Sequence, residues 1–220
     1  MVADVFIGAP VRNRAWIMER HLQSLKQQTV NKHFFYILND SEDQTEQILN
    51  DHQIPYLTHN MGKKFGHLRG QYAYPNLALL RNKLLDEFLK SDCDYLFSID
   101  TDIIIPEHSL KQLIENDKDI CAMLIRNHPR IKAHNAMIGG KHVPKFSEGV
   151  IPVDLTGAVY LIKREVIEAG VRYGSHPIGE DAPFCEQVQQ LGYELYVDTR
   201  LRPVHAYEEG VELVAKLAGT

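Results

Sequence analysis

The sequence predicts an α/β fold: a mostly parallel central sheet with helices on both faces. Two observations predict it. Short apolar runs of strand length alternate with segments whose apolar residues recur at helical spacing, over most of the chain. A length of 220 residues then suits a single domain that buries a full core without covalent staples. Sheets of this class bind ligands beyond the carboxyl ends of their strands.

The elements follow in order. Val5-Phe6-Ile7 reads as a strand ending in the loop Gly8-Ala9-Pro10, and Trp16, Ile17, Leu22 and Leu25 mark a helix. Trp16 is expected in the core. Phe34 to Leu38 is the next strand, stopping at Asn39-Asp40-Ser41-Glu42-Asp43, with a short helix from Thr45 to Asn50. Ile54-Pro55-Tyr56-Leu57 reads as an edge strand, because proline removes a ladder donor. Residues 59–76 have no periodicity and carry glycine with Lys63, Lys64 and Arg69. They read first as a solvated loop, with phosphate contact as the sharper alternative. Leucines return at helical spacing from Leu77 to Leu89. Tyr95 to Ile99 is a buried strand running into Asp100-Thr101-Asp102, and Ile103 to Pro106 leads to a helix starting near His108 or Ser109.

Asp119 to Ile125 is a fifth strand. Residues 126–150 are polar, and His128, His134 and His142 are too irregularly spaced for a zinc site. Val153 to Ile162 reads as one strand interrupted at Gly157. Helices from Arg164 to Ala169 and from Pro183 to Leu191 are capped by Gly170 and Gly192. Tyr193 to Val197 is the last clear strand.

Composition narrows the function. The net charge of −5 excludes a general basic footprint for nucleic acid. No apolar run approaches the roughly 18 residues of a membrane span, and the N-terminus lacks signal-peptide features. Cys93, Cys121 and Cys185 are too few and too scattered for a disulfide framework or zinc spacing. They read as small hydrophobes in a reducing, cytoplasmic setting.

The sharpest local feature is Asp100-Thr101-Asp102 at the end of an apolar strand. Alternate residues of an extended chain point the same way, so the two carboxylates should repel unless a cation joins them. A hard divalent cation sharing phosphate oxygens fits; the plainer alternative is a turn cap and a solvent-facing aspartate. Gly179-Glu180-Asp181 opens a later helix, where acidic residues complement the dipole. His205 follows the final strand.

Taken in order, Ala9-Pro10-Val11-Arg12-Asn13, Asn39-Asp40-Ser41, Leu80-Arg81-Asn82, Ile99 to Asp102, Leu155-Thr156-Gly157-Ala158, Gly179-Glu180-Asp181 and His205 resemble the nucleotide-sugar-dependent glycosyltransferases of the GT-A fold. The likeness is greatest to family 2 enzymes and secondarily to yeast-type mannan mannosyltransferases, and it runs from about Val5 to His205. It implies one Rossmann-like GT-A domain over residues 1–220, with 1–102 mainly nucleotide-binding and 103–220 mainly acceptor-binding. It implies a UDP- or GDP-sugar donor and a carbohydrate, lipid-linked or peptide acceptor. Pro10, Arg12 and Asp40 would line the nucleoside pocket. Arg81 would lie near the nucleotide or hold Asp100. Asp100 and Thr101 would contact the donor, and Asp102, Asp100 and His205 would hold Mn²⁺ or Mg²⁺. Asp181 resembles the base of inverting members, with Glu180 the second choice, while mannan-type relatives retain configuration. The acidic loop 39–43 lacks the glycine common in family 2.

Three rivals stand beside this reading. A phosphatase of the haloacid-dehalogenase type also has Asp-x-Asp after a strand, but on its first strand. A nucleotidyltransferase on a related sheet needs a Gly-rich, Arg-bearing loop, whereas Gly8 to Asn13 has one glycine. A nucleotide-sugar-binding module without catalysis would not need Asp100, Asp102, Asp181 and His205 together.

Overall fold

The structure, a computed structural model, describes residues 3–62 and 73–218. Lys63, Lys64 and Arg69 lie outside the described residues. The elements run β1 (Asp4–Val11), α1 (Ala15–Lys26), β2 (Asn31–Leu38), α2 (Thr45–Asp51), β3 (Tyr56–Thr58), α3 (Tyr74–Leu89), β4 (Tyr95–Ile99), β5 (Ile103–Ile104) and α4 (Ser109–Glu115). They continue with β6 (Ile120–Met123), β7 (Ala136–Ile138), β8 (Lys141–His142), β9 (Val150–Pro152), β10 (Leu155–Thr156), β11 (Val159–Lys163), α5 (Arg164–Glu168), α6 (Asp181–Gln190), β12 (Leu195–Asp198), β13 (Val204–Glu208) and β14 (Val211–Leu213).

Eight strands form one sheet in the order β3-β2-β1-β4-β11-β6-β12-β9. Strands β3, β2, β1 and β4 are parallel, as are β6 and β12. Strand β11 runs antiparallel between β4 and β6, and β9 is antiparallel at the far edge. Both halves of the chain therefore build one continuous sheet. Strand β3 sits at an edge, with Pro55 just before it.

Alternation along the strands decides the layers. Val5 and Ile7 pack with Phe97, Ile99, Leu25 of α1 and Leu113 of α4 on one face. Phe6 and Leu96 pack with Leu84 and Phe88 of α3, Val166 of α5 and Val188 of α6 on the other. Successive strand side chains point to opposite faces, so central strands that are apolar at every position require cover on both sides.

Helix α3 begins three residues earlier than its leucine spacing suggests. Pro75 sits in its first turn, where a missing N–H costs nothing. The expected interrupted strand 153–162 is two strands in two sheets: β10 pairs with β7, and β11 enters the central sheet. The break is at Gly157-Ala158, where Ala158 takes φ +67°. Strands β13 and β14 were not expected. With β5 they form a separate three-stranded sheet in the order β14-β13-β5, which places His205 opposite Ile103. Trp16 is 37% exposed rather than in the core. All three cysteines are buried and free.

Candidate functional site

The carboxyl ends of β1 and β4, the start of α3 and the turn into α6 enclose a cleft of about 550 Å³. Among the described residues, Pro10, Arg12, Arg81, Asp100, Thr101, Asp102, Glu180, Asp181 and His205 all line it. Residues up to 195 positions apart in sequence thus meet in one place: the parallel strands β1 and β4 end on this side of the sheet, and the pairing of β13 with β5 brings His205 to it.

Asp40 does not line the cleft; its neighbour Asn39 does. The Asp40 carboxylate accepts the N–H groups of Met61 (2.8 Å) and Gly62 (3.1 Å), and Asn39 Nδ2 also donates to it at 2.8 Å. Its backbone takes φ +41°, a left-handed conformation that Asp tolerates. A loop carboxylate that anchors a second loop replaces the expected pocket wall.

Asp100 and Asp102 do not act as one extended pair. The chain turns immediately after β4, with Ile103 N–H donating to Asp100 O at 3.1 Å. Asp100 is taken by Arg81, whose Nη2 lies 2.6 Å from Oδ1. Asp102 faces instead His205 Nε2 (3.9 Å from Oδ1) and Arg14 Nη2 (3.6 Å from Oδ2). The two carboxylates still repel, since burial and, against the pull of Arg81, the Asp102 charge raise the Asp100 pKa, but their neighbours differ: Arg81 on Asp100, Arg14 and His205 beside Asp102. Of the three expected ligands, Asp102 and His205 face one another, while Asp100 is paired with Arg81. Among the described residues no group of three or more His, Cys, Asp or Glu is arranged to hold a metal ion.

The chemistry of the remaining pair suits a divalent cation. His205 Nδ1 lies 2.8 Å from Arg126 O. A carbonyl only accepts, so Nδ1 carries a hydrogen, and Nε2 is the ring nitrogen that faces Asp102. One imidazole nitrogen and one carboxylate oxygen leave the rest of a coordination shell open to phosphate oxygens. His205 is held there by β13, paired with β5 immediately after Asp102.

The opposite chemistry gathers around Arg81, which is buried. Its Nε donates to Glu180 Oε1 at 2.7 Å, its Nη2 to Asp100, and its Nη1 to Ser98 Oγ at 3.4 Å. Burial opposes its charge, but Asp100, Glu180 and Asp181 together raise its pKa well above the ordinary arginine value. Glu180 is therefore committed to an ion pair. The Asp181 carboxyl behaves differently. Burial and the neighbouring Glu180 push its pKa up to about 8, against the pull of Arg81. Tyr160 donates to its Oδ1 at 2.8 Å. The carboxyl packs over Gly157 so closely that a Cβ there would lie 2.1 Å from Oδ2.

Three contributors escaped sequence reasoning: Arg14, Tyr160 and Gly157 as a contact surface. The available signal for Tyr160 was a hydroxyl inside the apolar run Val159 to Ile162, since a buried tyrosine needs a partner. Arg14 gave none, because its role depends on where α1 starts.

No protein-family model and no curated protein matches the chain. Its structure is similar to S. aureus TarS 1–349 in complex with UDP-GlcNAc, with TM-score 0.59 and 16% identity, covering 100% of this chain and 59% of that one. It is similar to the mannosyltransferase PcManGT from Pyrobaculum calidifontis in complex with GDP-Man and Mn²⁺, with TM-score 0.56 and 14% identity, over 90% of this chain and 57% of that one. It is also similar to the inositol-1-phosphate CTP transferase from T. maritima, with TM-score 0.53 and 12% identity, over 90% and 85%. The chain spans under two thirds of TarS 1–349 and of PcManGT. These likenesses establish the fold as GT-A type. No helix among the described residues is long and apolar enough to cross a membrane.

Proposed function

We propose that this chain is a metal-dependent glycosyltransferase that moves a sugar from a UDP- or GDP-sugar to an acceptor hydroxyl, with inversion and with Asp181 as general base. The observation that carries the reading is one cleft holding two kinds of group: an Asp102–His205 pair with open coordination, and a carboxyl at Asp181 whose pKa lies near 8. A base works best with a pKa close to the operating pH. The similarity to TarS with UDP-GlcNAc and to PcManGT with GDP-Man and Mn²⁺ supports the same reading.

In this reading Pro10, Arg12 and Asn39 receive the nucleoside at the ends of β1 and β2, so the first half of the chain, 1–102, is mainly the donor side. Asp100 and Thr101 contact the donor, with Asp100 oriented by Arg81. Asp102 and His205 hold Mn²⁺ or Mg²⁺, which when bound neutralises charge on the departing diphosphate. Asp181 takes the proton of the attacking hydroxyl, and Glu180 holds Arg81 in place.

Asp181→Asn keeps the side chain's shape and removes the proton acceptor. Transfer should fall by about 10²–10⁴-fold while donor affinity is kept, and Glu180→Gln should cost less. The measurement is transfer rate and donor affinity, with the product's anomeric configuration read by NMR. Near-normal turnover in Asp181→Asn, or a product that retains the donor's configuration, contradicts the inverting base. The similarity to a CTP transferase favours nucleotidyl transfer as the second reading. The released product separates the two: nucleoside diphosphate for glycosyl transfer, pyrophosphate for nucleotidyl transfer.

A further inference from the structure

A buried line of hydroxyls ends on Asp181. Tyr160 Oη lies against Tyr173 Oη and 2.8 Å from Asp181 Oδ1. Nearby, Ser98 Oγ accepts from Arg81 Nη1 at 3.4 Å. Ser98, Tyr160 and Tyr173 are all buried.

Counting hydrogens fixes the direction of the line. In the ionised form that acts as the base, the carboxylate only accepts, and each hydroxyl owns one hydrogen. Tyr160 therefore gives its hydrogen to Asp181. Tyr173 must then donate to Tyr160. The line points one way, from Tyr173 through Tyr160 to a carboxylate oxygen. It occupies Oδ1, while Oδ2 is the oxygen that lies over Gly157.

We infer that Tyr160 is a positioning residue for the base: the line Tyr173–Tyr160 fixes Asp181 Oδ1 and leaves Oδ2 as the atom that takes the acceptor's proton. The inference rests on the proposed role of Asp181. The charged and titratable groups facing Asp181 are Glu180 beside it, Cys185 one turn along α6, Arg81 from α3, Asp100 from the end of β4, Tyr160 from β11 and Tyr173 from the segment before α6. Glu180 and Asp100 oppose its ionised form, so Arg81 and the Tyr160 hydrogen bond are what favour the anion.

The test is a ¹³C NMR titration of the Asp181 carboxyl in the whole chain, in wild type, Tyr160→Phe and Tyr173→Phe. Losing a hydrogen bond to a charged group should raise the midpoint by about one unit, a tenfold change in the protonation equilibrium, in Tyr160→Phe. Tyr173→Phe breaks the line one bond upstream and should give a smaller rise. The ascending limb of the kcat/KM–pH profile should move with the midpoint. An unchanged or lowered midpoint in Tyr160→Phe overturns the inference. So does a rate loss that is uniform across pH, the mark of a merely structural tyrosine. If Tyr160→Phe does not fold, an unchanged midpoint in Tyr173→Phe overturns it equally. The NMR midpoint needs no turnover, so absence of transfer in the wild type would count against the proposed function alone.

Discussion

Replacing Gly157 by alanine tests the geometry of the base without touching the base. Gly157 joins β10 to β11, and a Cβ added there would sit 2.1 Å from Asp181 Oδ2 and 2.5 Å from its Cγ. The backbone has little room to retreat. Asn135 Nδ2 donates to Gly157 O at 3.0 Å, and Val159 N–H donates to the same oxygen at 2.8 Å. The strain therefore falls on the carboxyl, which must withdraw by about 1.3 Å to reach ordinary contact distance. That movement pulls on the hydrogen bond from Tyr160. A misplacement of about 1 Å in a reacting group costs on the order of 10²-fold. Gly157→Ala should accordingly lower kcat by about 10²-fold with donor KM nearly unchanged. In an Asp181→Asn background it should cost almost nothing more, because residues acting as one unit are not additive. Steady-state kinetics on the two single variants and the double variant make the comparison, with circular dichroism confirming the fold. Full activity in Gly157→Ala, or losses that multiply in the double variant, would refute the reasoning.

The same carboxyl governs stability against pH in the unliganded protein. Asp181 is raised from 3.8 to about 8, so the folded state holds a proton that the unfolded chain releases, and its stabilisation is present below pH ~4 and lost as pH rises through 8. His21 has the opposite sign. It is lowered from 6.5 to about 4 by burial between Ile103 O and Tyr36 Oη, so its contribution grows from pH ~4 to 6.5. The buried His134 is lowered too and adds to that rise, while Asp100, raised by burial, adds to the fall. Urea unfolding should therefore show little slope between pH 4 and 6.5 and a decline of up to about 1.4 kcal/mol per unit between 6.5 and 8. Asp181→Asn should turn the first window into a rise and flatten the second. A wild-type decline that survives in Asp181→Asn would assign it to another group.

Local pattern carried most of the architecture. Strand β4 was legible to the residue, because an apolar run bounded by acidic turn residues has one reading. The helix around Leu77–Leu89 was legible from its leucines, and only its first turn was hidden by Pro75. The sheet's mixed character was not. Gly157 marked the break in 153–162, but nothing local says that the two halves join different sheets. Strands β13 and β14 are short and carry Glu208 and Glu212, with Glu209 in the turn between them, so no alternation announces them. The pairing of β13 with β5 is a contact across about 100 residues. The site followed the same division. Residue types and order led to Asp100, Asp102, Asp181 and His205. Which cation faces which carboxylate depends on tertiary packing: Arg81 on Asp100, Arg14 near Asp102, and the Met61 and Gly62 amides on Asp40.

The central claim is that Asp102 and His205 hold the cation through which a nucleotide-sugar donor is bound. Isothermal calorimetry of UDP- and GDP-sugars, with Mn²⁺ and with EDTA, on wild type and Asp102→Ala tests it most directly. The account predicts that one donor class binds wild type tightly only with Mn²⁺, and that folded Asp102→Ala binds neither with metal nor without it. Equal donor affinity in EDTA, or metal-dependent binding that survives Asp102→Ala, would contradict it.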